Sequence, residues 1–245
     1  MIYRTSLLDT HETSRIIFYK LIAKVIGLPL TESFEYIIYR AKLAVYETDR
    51  LKVSTNNIKK FLVFIEDKDF YKHSGISYKS LTRSILGVLK VKPKSGGSTI
   101  VQQLTRTLFI TNLSKTKRRK FIELALAPWV TSVFGKDLIL DIYISSVRFE
   151  RGRFGIVEAM DHIWGKDENN PTNAQAFILI ERVRNIRSKL LVNKIIETVR
   201  SAKEKGLLST NDITILVDIY AKAVENGKII ANQAELLELA RNVNA

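Results

Sequence analysis

The runs I-E-D-K-D-F-Y-K-H-S-G-I-S at positions 65–77 and S-G-G-S-T-I-V-Q-Q-L at positions 95–104 decide what kind of fold this chain can make. The first sets an acidic pair, an aromatic ring and a histidine close together, and the second opens a glycine pair into hydroxyl and amide side chains. Such side chains are rarely buried in a core unless paired, so both runs read as parts of a polar site.

Working outward, the preceding N-I-K-K-F-L-V-F-I-E-D predicts a helix that is apolar nearly all round through Phe61, Leu62, Val63, Phe64 and Ile65. That helix delivers Glu66 and Asp67 at its end. Ser77 then caps a helix through Leu81, Ile85 and Leu89, followed by the basic loop V-K-P-K-S-G-G. Gly96 and Gly97 permit positive φ and close backbone approach, and Ser98 and Thr99 start the next helix. Free N–H groups at a helix start suit an anion, and Gln102, Gln103 and Arg106 lie on the helix that leaves it.

Ser114 is the expected N-cap of a long helix over K-T-K-R-R-K-F-I-E-L-A-L-A, which Pro128 is expected to kink or end. Arg119 and Glu123 stand four apart on that helix, so they share a face. Taken without the other motifs, that spacing reads first as an ordinary intrahelical ion pair on a solvated face. K-D-L-I-L-D-I-Y-I-S-S reads as a further helix with Leu138, Ile139, Ile142 and Tyr143 inward, and R-F-E-R-G-R-F-G as a basic loop. Pro171 and Thr172 start a helix over 174–180, and amphipathic helices broken at Gly206 and Gly227 follow. No strand-like alternation stands out, so the expected fold class is all-α.

Composition narrows the partners. Lys and Arg number 39 against 25 for Asp and Glu, a net charge of +14, which points to an anionic membrane surface, a phosphate-bearing ligand or nucleic acid. The absence of cysteine excludes disulfides and thiolate metal sites. The apolar run at 15–30 is interrupted by Lys20 and Lys24, whereas a spanning helix needs about 20 mostly apolar residues, so neither a membrane span nor a signal peptide is expected there. Its amphipathic stripe suits packing into a core or lying on a membrane surface.

Two carboxylates from distant helices, Glu66 and Glu123, a phosphate-friendly helix start and several cations describe sugar chemistry. One carboxylate handles a hydroxyl proton while the other manages charge elsewhere, and Arg and Lys clamp a diphosphate leaving group.

E-D-K-D-F-Y-K-H-S-G resembles the first motif of the peptidoglycan glycosyltransferases, E-D-x-x-F-x-x-H-x-G. G-G-S-T-I-V-Q-Q-L is similar to their second motif, R-K-F-I-E to the third, and K-D-L-I-L-D-I-Y-I to the fourth. This family comprises the transglycosylase module of class A penicillin-binding proteins and the monofunctional murein polymerases. The resemblance, ordered across roughly residues 55–182, implies a lysozyme-like, mainly helical fold that polymerises lipid-linked disaccharide. It implies that Glu66 is the general base for the acceptor's 4-hydroxyl, with Asp67, Phe70 and His73 shaping that site. It places Ser98, Thr99, Gln102, Gln103 and Arg106 along the donor's sugar-diphosphate pocket, with Arg106 where the family usually has lysine. Arg119 and Lys120 would bind the diphosphate and Glu123 would stabilise or orient it, with Mg2+ or Mn2+ as the implied metal and no organic cofactor. Ser145 stands where the fourth motif has asparagine, and A-Q-A-F-I-L-I-E-R-V-R-N-I departs from the last motif.

The expected organisation is residues 1–54 as N-terminal helices on a membrane surface, 55–189 as the lysozyme-like transglycosylase domain, and 190–245 as a helical appendage open to a protein partner. Expected partners are a lipid-linked sugar and an anionic membrane surface, not nucleic acid. The expected location is the periphery of the bacterial cytoplasmic membrane, on either side. Three other readings stand beside the polymerase: an inactive module that binds precursor or a partner protein, a hydrolase on the same scaffold, and a basic helical nucleic-acid binder. For the enzyme, Glu66 and Glu123 are expected to face one cleft lined by Thr99, Gln103 and Arg106.

Overall fold

The computed structural model describes residues 34–78, 98–109, 116–150, 152–165, 169–183 and 188–243, together with positions 21, 82 and 186. The amphipathic run at 15–30 apart from position 21, most of the helix led by Ser77, the Gly96–Gly97 pair and the Ser114 cap lie outside them. Helices α1 (Phe34–Arg50), α2 (Asn56–Glu66), α3 (Ile100–Phe109), α4 (Thr116–Phe134) and α5 (Lys136–Ser146) come first. Strands β1 (Arg148–Glu150) and β2 (Arg153–Phe154) form an antiparallel hairpin. Helices α6 (Gly155–Trp164), α7 (Asn173–Glu181), α8 (Val192–Glu204), α9 (Thr210–Glu225) and α10 (Gln233–Val243) complete the chain. The all-α expectation holds, with this hairpin as the exception.

The chain divides into two compact units, Met1–Ala44 with Asp69–Ile142, and Val45–Lys68 with Tyr143–Ala245. In the first, α3 packs on α4. Ile100, Val101 and Leu104 are fully buried, as are Leu126, Ala127, Trp129 and Val130. The Trp129 ring lies edge-on to Phe109, with centroids 5.4 Å apart. Burial of this run explains why α4 passes through Pro128 without ending there. Proline costs a helix interior about 3 kcal/mol, and burying one large apolar side chain returns about 1.5–3 kcal/mol, so a row of them outweighs it. Of the two expected outcomes at Pro128, a kink or an end, the end is therefore corrected: tertiary packing carries the helix past it.

In the second unit α2 lies against α7. Ile58, Phe61 and Leu62 are fully buried, and the Phe61 and Phe177 rings meet edge-on at 5.8 Å. Helix α7 begins with a capping box: the Thr172 hydroxyl accepts from the Gln175 backbone N–H while the Gln175 side chain accepts from the Thr172 N–H. Its residues from Ala174 to Ile180 are all buried, so this short helix is the centre of the unit. Helix α9 packs on α7, and α10 on both α8 and α9.

A buried polar cluster accompanies the α7–α9 contact. Tyr220 donates its hydroxyl proton to Glu181 at 3.0 Å, and Arg182 pairs with Glu181 while donating to the Ser188 carbonyl at 2.9 Å. Arg182 is 2 % exposed, so these partners are what allow its charge to sit in the interior.

The hairpin occupies the segment read from sequence as a loop. Its start is tied by Gly155, whose φ of +77° and whose packing on the Ser145 carbonyl leave no room for a side chain; a Cβ there would lie 2.4 Å from that oxygen. Ser145 accepts a hydrogen bond from the Thr48 hydroxyl at 2.9 Å, so the serine that replaces the motif's asparagine is engaged with α1.

Candidate active site

Thr99 begins the site. It stands before α3 and makes a reciprocal cap with Gln102: the Gln102 N–H donates to the Thr99 hydroxyl at 3.1 Å, and the Thr99 N–H donates to Gln102 Oε1 at 3.2 Å. The T-x-x-Q spacing writes this cap into the sequence. The Thr99 hydroxyl proton then goes to the carbonyl of Gly75, 2.7 Å away, which fastens the end of the acidic-aromatic run to the start of α3.

Only glycine fits that join. Gly75 has a φ of +101°, and a Cβ on it would meet the Ala127 carbonyl oxygen at 2.6 Å and the Thr131 hydroxyl at 2.8 Å. The Gly75 N–H donates to His73 Nδ1 at 3.2 Å, which sets that nitrogen as the acceptor of the ring. Phe70 is fully buried and its ring meets His73 edge-on at 6.4 Å. Lys136, from the first turn of α5, donates to the carbonyls of both Phe70 and His73 and lies 4.3 Å from the centre of the Phe70 ring. It is a positioning residue for this turn. Sequence reasoning quoted it only inside a motif and gave it no role.

The electrostatic centre is Glu123 on α4, 1 % exposed. Its Oε1 faces Arg106 Nη1 at 3.4 Å and Arg119 Nε at 3.6 Å, and its Oε2 faces Lys120 Nζ at 3.1 Å. The solvated-surface reading of the Arg119–Glu123 pair is thereby corrected, because the carboxylate is interior and gathers cations from α3 as well as its own helix. One buried negative charge holds three positive ones that are 20–32 % exposed at the side chain. The positive charges exceed the carboxylate by two, and each cation is partly exposed. Lys120 also donates to Ser98 Oγ at 2.9 Å and Gln102 Oε1 at 3.2 Å, so its three protons meet three acceptors. Gln103 donates to the Ser98 carbonyl at 3.4 Å.

Ser98, Thr99, Gln102, Gln103, Arg106, Arg119, Lys120 and Glu123 therefore form one cluster, and Phe70 and His73 join it through Gly75. Glu66 and Asp67 belong to the other compact unit, where Glu66 is the last residue of α2 and Asp67 its C-cap, donating its N–H to the Val63 carbonyl. The donor set does not fit a divalent ion at Glu123. Both its oxygens face cations, whereas hard cations gather several free oxygen ligands, and among the described residues no three His, Asp or Glu side chains converge.

Comparison with known proteins shows the family. The transglycosylase family model matches residues 40–207, more than half of the chain, and the chain belongs to that family. It is similar to the monofunctional glycosyltransferase of Staphylococcus saprophyticus, with 32% identity over 54% of this chain and 47% of that protein. It is also similar to penicillin-binding proteins 1F and 2D of Bacillus subtilis, at 33% and 36% identity over 56% and 53% of this chain. The matched parts make up 20% and 19% of those two proteins, and about half of the monofunctional one.

Proposed function

We propose that this chain polymerises a lipid-linked disaccharide into a peptidoglycan-type glycan strand. The observation that carries the reading is the buried Glu123 with Arg106, Arg119 and Lys120 gathered on it beside the capped start of α3. A preorganised surplus of positive charge is what a departing diphosphate requires, because it stabilises charge that develops in the transition state. In the reaction, Glu66 accepts the proton of the acceptor's 4-hydroxyl. That oxygen bonds to the donor's anomeric carbon while the bond from carbon to diphosphate breaks, and the polyprenyl diphosphate leaves with the electron pair.

Arg106 and Arg119 receive the diphosphate oxygens, and Lys120 exchanges Ser98 or Gln102 for one of them. Glu123 keeps the three cations together in the empty state, when their mutual repulsion is otherwise unopposed. Asp67, Phe70 and His73 shape the acceptor side, with Lys136 holding the Phe70–His73 turn. Mg2+ or Mn2+ is not needed at Glu123 for any of these steps. Among the described residues no helix is long and apolar enough to cross a membrane. The proposed location is the periphery of the bacterial cytoplasmic membrane, where the substrate's lipid lies.

The test is incubation of the full chain with lipid-linked disaccharide, with and without Mg2+ or Mn2+. Glycan polymer is the expected product. Binding of the substrate with no turnover under either condition would identify an inactive precursor-binding module, and soluble reducing sugar released from peptidoglycan would identify a hydrolase.

A further inference from the structure

Within the second unit, α2, α7 and α9 are joined at matching heights. Asn57, in the first turn of α2, donates to the Pro171 carbonyl just ahead of α7 at 3.0 Å, and the Phe61 and Phe177 rings meet further along both helices. Asn173, the first residue of α7, donates to Asp212 in the first turn of α9 at 3.4 Å, and Glu181 at the end of α7 accepts from Tyr220 further along α9. Contacts that advance together from both starts make α2 and α7, and α7 and α9, parallel pairs. Glu66 stands five residues after Phe61 and Glu181 four after Phe177, so at about 1.5 Å per residue the two glutamates end their helices at nearly the same height. Lys205, at the end of α8, reaches α2 as well: its Nζ lies 5.5 Å from the centre of the Phe64 ring, two residues before Glu66.

At that height the Tyr220, Glu181 and Arg182 group supplies position. The burial that drives Phe61 onto Phe177 is non-directional, so it tolerates a shift along the helix axis. Hydrogen bonds tolerate little, because they weaken steeply as their angles close. Glu181 accepts from Tyr220 and pairs with Arg182, and Arg182 donates to the Ser188 carbonyl and hydroxyl at 2.9 and 3.0 Å. Tyr220 is fully buried and Arg182 nearly so. Apolar side chains of similar volume can stabilise a core as well as such a set does, whereas a satisfied buried network fixes one arrangement. The group therefore sets where α7 ends, and α7, through Phe177 and Phe61, sets where α2 delivers Glu66. A displacement of about 1 Å at a reacting group can cost about a hundredfold in rate. Helix α9 starts at Thr210, beyond the residues 40–207 that the family model matches, so Tyr220 lies outside the shared pattern.

We infer that Tyr220 is a positioning residue for Glu66, acting through Glu181 and α7; the inference rests on the reading of Glu66 as the base. Two variants of the full chain separate position from stability. Tyr220→Phe removes the hydroxyl that holds Glu181, and Ile195→Val trims a fully buried side chain of α8 that has no part in the group. Both are expected to lower the melting temperature modestly. With lipid-linked disaccharide, below the melting range of both, Tyr220→Phe is expected to lower kcat about tenfold with KM within about twofold, whereas Ile195→Val keeps wild-type values. Amide exchange read by mass spectrometry is expected to quicken about tenfold in the last turn of α2 in Tyr220→Phe alone. Equal kcat in the two variants overturns the inference, and so does equal exchange of α2. A wild type that forms no polymer refutes the polymerase reading instead, and the exchange comparison then decides by itself whether Tyr220 holds α2.

Discussion

Replacing Gly75 by alanine probes the join on which the site depends. At φ +101° an L-residue is strained by about 1–2 kcal/mol. Its Cβ would stand 2.6 Å from the Ala127 carbonyl oxygen and 2.8 Å from the carbonyl carbon, both backbone atoms of the buried stretch of α4. The 73–75 turn must therefore move, at a cost of about 1–3 kcal/mol for overpacking. Moving it breaks the 2.7 Å hydrogen bond from the Thr99 hydroxyl, a further loss of about 1 kcal/mol. The sum, roughly 3–6 kcal/mol, is large against a typical domain stability of about 5–15 kcal/mol. Urea denaturation followed by circular dichroism measures it. Thr99→Val breaks the same bond from the other side, so the double variant is expected to cost about 1 kcal/mol less than the sum of the singles. A Gly75→Ala protein within about 1 kcal/mol of wild type, or strict additivity with Thr99→Val, would refute the proposed coupling of this turn to α3.

Other expectations can be checked separately. Glu123→Gln leaves three cations around a neutral amide; because they are partly solvated, the loss of stability is expected near the lower end for a broken buried ion pair, about 3 kcal/mol by thermal or urea melting. Tyr220→Phe removes the proton donated to Glu181 and is expected to cost about 1–2 kcal/mol. Burial, and then Glu181, push the Tyr220 phenol well above 10.0, so its contribution is complete below pH 10 and lost as pH rises further; the alkaline limb of a stability profile is expected to flatten in the variant. Burial alone would raise the Asp212 carboxyl, but hydrogen bonds from Ser209 and Asn173 with Lys60 nearby hold it below 3.8. Its contribution is therefore present above that value and fades as pH falls below it, and Asp212→Asn is expected to shrink the acid-induced loss of stability.

Much of the fold was legible because local chemistry and tertiary outcome agree. The apolar run before Glu66 gives a helix that ends where its acidic pair begins, and T-x-x-Q at Thr99 states its own cap. Where they disagree, the sequence misleads. Pro128 is a helix breaker by its missing N–H, yet the buried Trp129 and Val130 carry α4 past it. The spacing of Arg119 and Glu123 reveals a shared face but not that Arg106 arrives from another helix and Glu123 lies inside. The hairpin strands, of three and two residues, are too short for a period of two to be recognised. Tyr220 and Glu181 meet across 39 residues, a pairing that no local pattern encodes. Lys136 stands in the sequence only as the first letter of a motif, and the pattern does not reveal that its ammonium group holds the Phe70 and His73 carbonyls.

The central claim is that Glu66 is the base of a glycan polymerase. Its most direct test compares wild type and Glu66→Gln for polymer formed from lipid-linked disaccharide, with matched melting curves to establish that both are folded. Polymer from wild type and none from the folded variant is the predicted result; equal product from both would contradict it.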